Sequence, residues 1–304
     1  MVGRPPFPTD SPDAFPNPPV VSIAATLQLC TYNRAHLLAR VLDACFEQNL
    51  LAAEYEVVLV NDGSRDDTER VIASARSRAP VAFTAITQPN GGLARARNTG
   101  IAAARGERII FIDDDVLPMP NFVGEHLRAS AHRPDAVVRG AVIEVDSFDK
   151  LPAPFWTPRN YSGNWFWTSN VSVSRRRLDA VKLGDFQWFD ESFSEYGWED
   201  IELGLRLREA GTRGVFNRHA VAFHYKPKSA RVQNVDELVR QKRAQARTAL
   251  ILERKHPGWR VRLATGNNGP ARSLHRVARA LRIPRGWRGV AADAYFDELE
   301  RGSP

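Results

Sequence analysis

The sequence is poor in sulfur, with two cysteines and two methionines among 304 residues. Cys30 stands in an apolar strand-like run and Cys45 in a helix-like one, which gives neither a disulfide framework nor a cysteine metal site. Two buried, reduced thiols are expected. Long apolar runs are also missing. No window approaches the roughly 18 uninterrupted apolar residues of a membrane-spanning helix, and the first residues lack the charged-then-apolar pattern of a signal peptide. A cytoplasmic location is the resulting expectation. No internal repeat is visible, and neither a Walker loop nor a G-x-G-x-x-G fingerprint occurs. What remains is an ordinary globular composition, 43% hydrophobic and 25% charged, long enough to bury a full core. The net charge of +7 asks for an acidic partner. Charge alone does not choose among nucleic acid, an anionic membrane surface and a phosphorylated small molecule.

Residues 1–19 carry prolines at 5, 6, 8, 12, 16, 18 and 19. They have too little apolar surface to offset the entropy of ordering, and read as a flexible arm. From Ile23 the chain alternates strand-like runs with helical patterns: "IAATLQLC" then 35–48, "YEVVLVN" then 66–77, "VAFTAITQ" then 93–104, "RIIFID" then 120–131. That alternation predicts an α/β fold, a doubly wound parallel sheet wrapped by helices. In such sheets ligands bind beyond the carboxyl ends of the strands. Each of the four predicted strand ends carries polar, turn-forming residues there: "TYNR", "NDGS", "PNGGLARARN" and "DDD". Further on, strands are predicted at 136–145, 165–174 and 220–225, and helices at 198–211 and 235–256.

Adjacent carboxylates repel, so Asp113, Asp114 and Asp115 need a reason to stand together. Alternate strand residues share a face, so Asp113 and Asp115 are expected to converge where the strand emerges. Clustered carboxylates favour Mg²⁺ or Mn²⁺, whose charge reverses the repulsion. Such ions keep waters and bridge to phosphates, which also fits the basic excess. The plainer reading is an acidic turn capping the next helix. Gly91-Gly92 leads into a helix whose free amides can face an anion, with Arg95 and Arg97 adding charge, although Asn-Gly-Gly is also an ordinary loop. Asp62 follows an apolar strand and serves either a nucleoside or its own turn. Glu199 and Asp200 open a helix, where acids complement the dipole or act as a general base. His224 ends an apolar strand, free for metal or phosphate or simply structural. Tryptophans at 156, 165, 167 and 188 serve the core or stack on sugar rings.

Taken together, "CTYNR", "VNDGSRDDT", "NGGLARARNTGIAAARGERIIFIDDD", "TSNVSVSRR" and "GWEDIELGLRLREAG" resemble the family 2 glycosyltransferases, nucleotide-sugar enzymes of the GT-A fold, from about Ala25 to Pro227. The resemblance implies a mainly parallel twisted sheet with flanking helices. A Rossmann-like nucleotide-sugar-binding half would span 20–131, an acceptor-binding catalytic half 132–233, and a basic helical extension 234–304. It assigns Thr31, Tyr32, Asn33 and Asp62 to the nucleoside pocket and puts Arg97 and Asn98 near the nucleotide. Asp113, Asp114 and Asp115 match the D-x-D element, with Asp113 and Asp115 holding a divalent ion (Mn²⁺ or Mg²⁺) and His224 joining it. Asp200 matches the catalytic base with Glu199 beside it, and Asn170 and Trp198 would line the sugar or acceptor side. The implied reaction is inverting transfer of one sugar from a nucleoside-diphosphate donor, UDP favoured over dTDP or GDP, to a carbohydrate, lipid-linked or small-molecule acceptor.

The family's processive synthases add a Q-x-x-R-W element and membrane helices, and neither is found, so single transfer is expected. No nucleic-acid partner is implied. A sugar-phosphate nucleotidyltransferase would need a Gly-rich basic loop after the first strand, and "CTYNRAHLL" has no glycine. A non-catalytic nucleotide or nucleic-acid binder is the remaining alternative. Arginines at 260, 262, 272, 276, 279, 282, 285 and 288, with no acid among residues 260–288, make either a solvated tail or a basic amphipathic helix. The latter would give peripheral contact with the inner face of a membrane.

Overall fold

The computed structural model describes residues 23–154, 157, 165–227, 234–280 and 286–302. The proline-rich arm, Trp156, Arg282 and Arg285 lie outside the described residues. Strands β1 (Ala25–Thr31), β2 (Tyr55–Asn61), β3 (Ala82–Thr87) and β4 (Arg108–Phe111) are mutually parallel, in the spatial order β3-β2-β1-β4. Every residue of β2 and all but Cys30 of β1 are buried, because a parallel sheet is covered on both faces and its strands need no polar side. Helices α1 (Ala35–Phe46), α2 (Thr68–Arg78) and α3 (Leu93–Ala103) make the crossovers. In register, Thr31 stands beside Asn61 and Asn61 beside Thr87. The polar segments that follow these strands therefore leave the sheet at one level. Gln28 pairs with Phe111, and carrying that register two and three residues further sets Asp113 and Asp114 level with the end of β1.

The sheet then continues through β7 (Val171–Ser174), antiparallel to β4, and β6 (Val137–Val145), antiparallel to β7. Beyond them lie β8 (Gly214–Tyr225), parallel to β6, and the edge strand β5 (Val116–Pro118), antiparallel to β8. Helices α4 (Phe122–Ser130), α5 (Arg175–Ala180) and α6 (Glu199–Glu209) belong to this part. The strand expected over 165–174 is only four residues long, and the one expected over 220–225 extends back to Gly214. Alternation along β4 divides the core: Ile110 and Ile112 face the cluster under α1, and Ile109 and Phe111 the cluster holding α3 and α6. Phe111 meets Phe166 and Phe189 edge-on, with centroids 5.9 and 5.6 Å away.

Among the described residues four helices follow: α7 (Val235–Lys255), α8 (Trp259–Ala264), α9 (Gly269–Ala280) and α10 (Gly286–Gly302). Asn234 caps α7 by accepting from the Glu237 amide at 3.0 Å. Asp236 and Glu237 in its first turn and Arg254 and Lys255 in its last complement the dipole. Buried Ala246, Ala249 and Leu299 pack with Trp198, Tyr295 and Phe296, and Leu252 and Val261 pack with Phe193, Ile201 and Leu205. The extension thus rests on the helix that carries Glu199 and Asp200. No helix among the described residues is long and apolar enough to cross a membrane. Cys30 and Cys45 are free thiols, both pushed up by burial, Cys30 to about 12.

Candidate active site

The loops after β1 and β2 lock together. Asn33 takes a left-handed φ of 53°, which asparagine tolerates better than most residues. Its amide donates to Ser64 Oγ at 2.9 Å, and its Oδ1 accepts from the Arg65 amide at 2.7 Å. Thr31 Oγ1 is buried beside Asp114 without a hydrogen bond of good geometry, and Tyr32 is 46% exposed. Asp62 is spent on the next loop: Oδ1 accepts from Gln88 Nε2 at 2.7 Å and the Gly91 amide at 3.0 Å, and Oδ2 from the Gly92 amide at 2.9 Å. Two of the amides expected to face an anion are therefore taken. Gly92 sits at φ 87°, a conformation that costs a residue with a Cβ.

Asp113 and Asp115 bond to different partners. The strand ends at Phe111, and the Val116 amide closes a turn onto Asp113 O at 3.1 Å, so the pleat that would align alternate side chains is gone. Asp114 and Asp115 meet instead on Arg34, whose Nη1 donates to Asp115 Oδ2 at 2.5 Å and whose Nε lies 3.9 Å from Asp114 Oδ1. Pairing of β5 with β8 sets Val116 opposite His224, bringing His224 Nε2 within 3.2 Å of Asp115 Oδ1, with Lys226 Nζ 3.9 Å from Oδ2. Burial raises the Asp115 carboxyl, but the His224 hydrogen bond and the charges of His224, Arg34 and Lys226 outweigh it and hold it below the usual carboxylate range. Burial pushes Asp114 up to about 7 against the opposing pull of Arg34.

Asp113 belongs to a second cluster. Arg97, with 5% of its side chain exposed, donates from Nη1 to Glu199 Oε1 at 2.7 Å and from Nη2 to Asp113 Oδ1 at 3.3 Å and to Thr168 Oγ1. Ser169 Oγ donates to the other oxygen of Asp113. Burial works against the charge on Arg97, yet Glu199 and Asp113 keep it above its ordinary value. Glu199 Oε2 is buried with no hydrogen-bond partner among the described residues. Trp198 precedes it in the left-handed region at φ 69°, strain of about 1–3 kcal/mol of the kind held at functional sites.

Asp200 is partly exposed, yet protein crowds it on most sides, as expected of a group lining a cleft. Burial, with the charge of Glu199 added, raises its carboxyl to about 7 while Arg97 opposes. Oδ1 accepts from the Ile201 amide at 2.7 Å, and Oδ2 makes no hydrogen bond among the described residues. Tyr196 ties the two clusters together. Its surface is 57% accessible, but crowding, together with the charges of Glu199, Asp113, Asp200 and Asp115, raises its phenol to about 12. All four carboxylates are therefore within electrostatic reach of Tyr196.

Residues 26–193 match the model of glycosyl transferase family 2, more than half of the chain. The chain belongs to glycosyl transferase family 2. Validoxylamine A glucosyltransferase of Streptomyces hygroscopicus subsp. jinggangensis is 28% identical over 264 residues, 75% of this chain and 60% of that protein. Chondroitin synthase of Escherichia coli is 23% identical over 256 residues, 71% of this chain and 36% of the synthase. The chain thus spans 60% or less of these relatives' length. A mannosyltransferase of Pyrobaculum calidifontis, solved with GDP-Man and Mn²⁺, superposes with a TM-score of 0.55 at 20% identity, covering 91% of this chain and 86% of that one. S. aureus TarS 1–349 in complex with UDP-GlcNAc gives 0.56 at 15%, covering 91% and 90%. These likenesses establish the GT-A fold that the motifs implied.

Two expected site residues of this family 2 chain are occupied elsewhere. The Asn98 side chain donates to Phe189 O and Glu191 Oε1 and accepts from the Trp188 and Phe189 amides. All its hydrogen-bonding capacity goes to bracing 188–191, and none remains for a nucleotide. Asn170 donates to Ala141 O and Ala220 O and lies 3.0 Å from His126 Nε2. It stitches β7 to β6 and β8 rather than lining a sugar site. Arg34, Lys226, Thr168 and Ser169 join the site unannounced, although Arg34, Thr168 and Ser169 stand inside motifs quoted above and Lys226 lies two residues after His224.

Among the described residues no three His, Cys, Asp or Glu side chains are arranged to hold a metal ion, and the Asp113 carboxylate is engaged by Arg97 and Ser169. Asp115 and His224 are adjacent and buried, and the other His224 nitrogen, Nδ1, has no hydrogen-bond partner. Two such donors fit an ion of the Mg²⁺ or Mn²⁺ kind, which needs only one or two protein ligands when phosphates complete its shell.

Proposed function

We propose that this chain transfers one sugar from a nucleoside-diphosphate sugar, UDP favoured, to an acceptor hydroxyl by a single inverting displacement, with Asp200 as base. The carrying observation is the carboxylate of Asp200: Oδ2 lacks a hydrogen bond among the described residues, and its proton affinity lies near neutrality. A base works best when its pKa lies near the working pH. Asp200 Oδ2 accepts the acceptor's proton as the hydroxyl attacks the anomeric carbon and the bond to the diphosphate breaks. Arg97 fixes Glu199 beside the base, on the acceptor side. The loops of Thr31, Tyr32, Asn33 and Asp62 bound the nucleoside end.

Asp115 and His224 would hold a divalent ion, which when bound supplies charge against the departing diphosphate. Arg34 and Lys226 add protein charge on the same side. A cytoplasmic setting and a carbohydrate, lipid-linked or small-molecule acceptor complete the reading.

The test incubates the chain and Mn²⁺ with UDP-, dTDP- and GDP-sugars and a panel of acceptors, measuring nucleoside diphosphate release and the product's anomeric configuration by NMR. One nucleotide should support transfer with inversion. A product that retained configuration would refute the single displacement.

A further inference from the structure

The inner faces of α8 and α9 are spent on the extension itself. Val261 of α8 packs with Leu252 of α7 and with Ile201 and Leu205 of α6, and Thr265 Oγ1 just beyond it donates to Glu253 Oε1 at 2.6 Å. On α9 the buried His275 ring stacks on Phe296 with centroids 4.4 Å apart, and Arg279 meets Asp297 at 2.7 Å. Both helices are therefore held in place from one side.

Their outer faces are still open. Trp259 and Leu263 stand four residues apart on α8, and Leu274 and Val277 three apart on α9, spacings that put each pair on one side of its helix. They are 70, 63, 72 and 53% exposed. Single exposed apolar side chains are ordinary, but four large ones within residues 259–277 keep a concentrated apolar surface in water until something covers it.

The surrounding charge selects the sign of what covers it. Residues 260–288 contain no Asp or Glu, and Arg260, Arg262 and Arg276 are exposed and form no ion pair among the described residues. Nearby acids are engaged: Glu253 accepts from Thr265 and Asn267, while Asp293 and Asp297 lie against His275 and Arg279. The Arg260 guanidinium lies 5.4 Å from the centre of the Trp259 ring, so cation and aromatic stand together.

Nucleic acid would use these arginines but not Leu263, Leu274 and Val277, since its backbone is met by polar groups. A second copy of the chain would set arginine against arginine. An anionic lipid surface uses both, taking the apolar side chains below its headgroups and the arginines among them.

We propose that the outer faces of α8 and α9 dock this chain on an anionic lipid bilayer, with Trp259, Leu263, Leu274 and Val277 entering the interface and Arg260, Arg262 and Arg276 meeting the headgroup phosphates. Delivery of a lipid-linked acceptor by this contact would rest on the function proposed above, whereas the docking does not.

The experiment sediments the full chain with vesicles of phosphatidylglycerol mixed with phosphatidylcholine, and with phosphatidylcholine alone as the neutral arm. Binding of a random-sequence single-stranded RNA, self-association by sedimentation velocity, and calorimetric binding of UDP with Mn²⁺ are measured on the same preparation. The mixed vesicles should bind about tenfold or more tightly than neutral ones and lose affinity at high salt. Leu274→Ser with Val277→Ser should weaken vesicle binding about tenfold or more by removing apolar contact. Arg262→Gln with Arg276→Gln should weaken it to a similar degree. All four side chains are exposed, so both variants should keep the wild-type circular dichroism, and Trp259→Ser carries the apolar test if the first pair disturbs α9.

No binding to the mixed vesicles, whether or not RNA binds instead, equal binding to neutral vesicles, or indifference to either pair of substitutions would overturn the proposal. A dimer that Leu274→Ser with Val277→Ser dissolves would also overturn it, giving the face to a second copy. Nucleotide binding without vesicle binding removes this inference alone. Vesicle binding without nucleotide binding removes the transferase reading and leaves the docking standing.

Discussion

Two arginines grip the carboxylates of the candidate site, and they differ in how much water they see. Arg97 has 5% of its side chain exposed and spans Asp113, Glu199 and Thr168, whereas Arg34 has 41% exposed and rests on Asp114 and Asp115. A buried ion pair that loses one partner leaves an uncompensated charge, at a cost of about 3–5 kcal/mol. An exposed pair contributes about 0–1 kcal/mol. The Arg97 cluster is therefore fixed architecture that aims Glu199 and steadies the start of α6. The Arg34 cluster is held weakly enough to exchange one charged partner for another when a phosphorylated ligand arrives.

The largest expected effect lies on the fixed side. Asp200 stands next to Glu199 but is not hydrogen-bonded to Arg97, so Asp200→Asn should leave the cluster intact and remove only the base. Turnover should fall roughly 10²–10⁴-fold with nucleotide affinity unchanged by calorimetry. Normal turnover in this variant would remove Asp200 from the mechanism. The same group sets the pH dependence. Its raised carboxyl must be ionised to accept a proton, so kcat/KM should fall as pH drops through about 7, well above the ordinary range of an aspartate. Asp200→Glu should move that limb, which a purely structural residue would not do.

Arg97→Met should cost about 3–5 kcal/mol in urea unfolding by stranding Glu199. Combining it with Glu199→Gln should recover part of the loss, because the two side chains share one interaction. On the exchangeable side, Asp115→Ala should abolish the Mn²⁺-dependent part of nucleotide binding and leave any metal-free binding in place. The smallest effect is that of Arg34→Gln, expected to cost less stability than Arg97→Met because His224 and Lys226 still face Asp115. An Arg34 variant as costly as Arg97→Met would erase the contrast between the two clusters.

The four βα units were legible because each strand is a short apolar run closed by polar turn residues, as in "YEVVLVN" before "DGS". Strand β5 was not, since three residues ending in a proline give no period to read, and only the pairing of Val116 with His224 makes it a strand. Asp113 and Asp115 take different partners for a related reason. Alternation holds only while the pleat continues, and a turn intervenes. Asn98 and Asn170 lie in the right motifs, but nothing in a sequence tells whether an amide's hydrogen bonds are spent on the backbone of a distant segment. Arg34 and Lys226 were within reach, each beside a residue already singled out. Spacing along a chain does not reveal which cation faces which carboxylate across a sheet.

In the proposed reaction Asp115 and His224, with the loops beyond β1 and β2, receive a nucleoside diphosphate together with a divalent ion. Calorimetric titration of UDP, dTDP and GDP with Mn²⁺, and again with excess chelator, tests it most directly. One of the three, UDP in first place, should bind with Mn²⁺ and lose that affinity in chelator. If none bound under either condition, the cleft would not be a nucleotide-sugar site and the proposed transfer would fall with it.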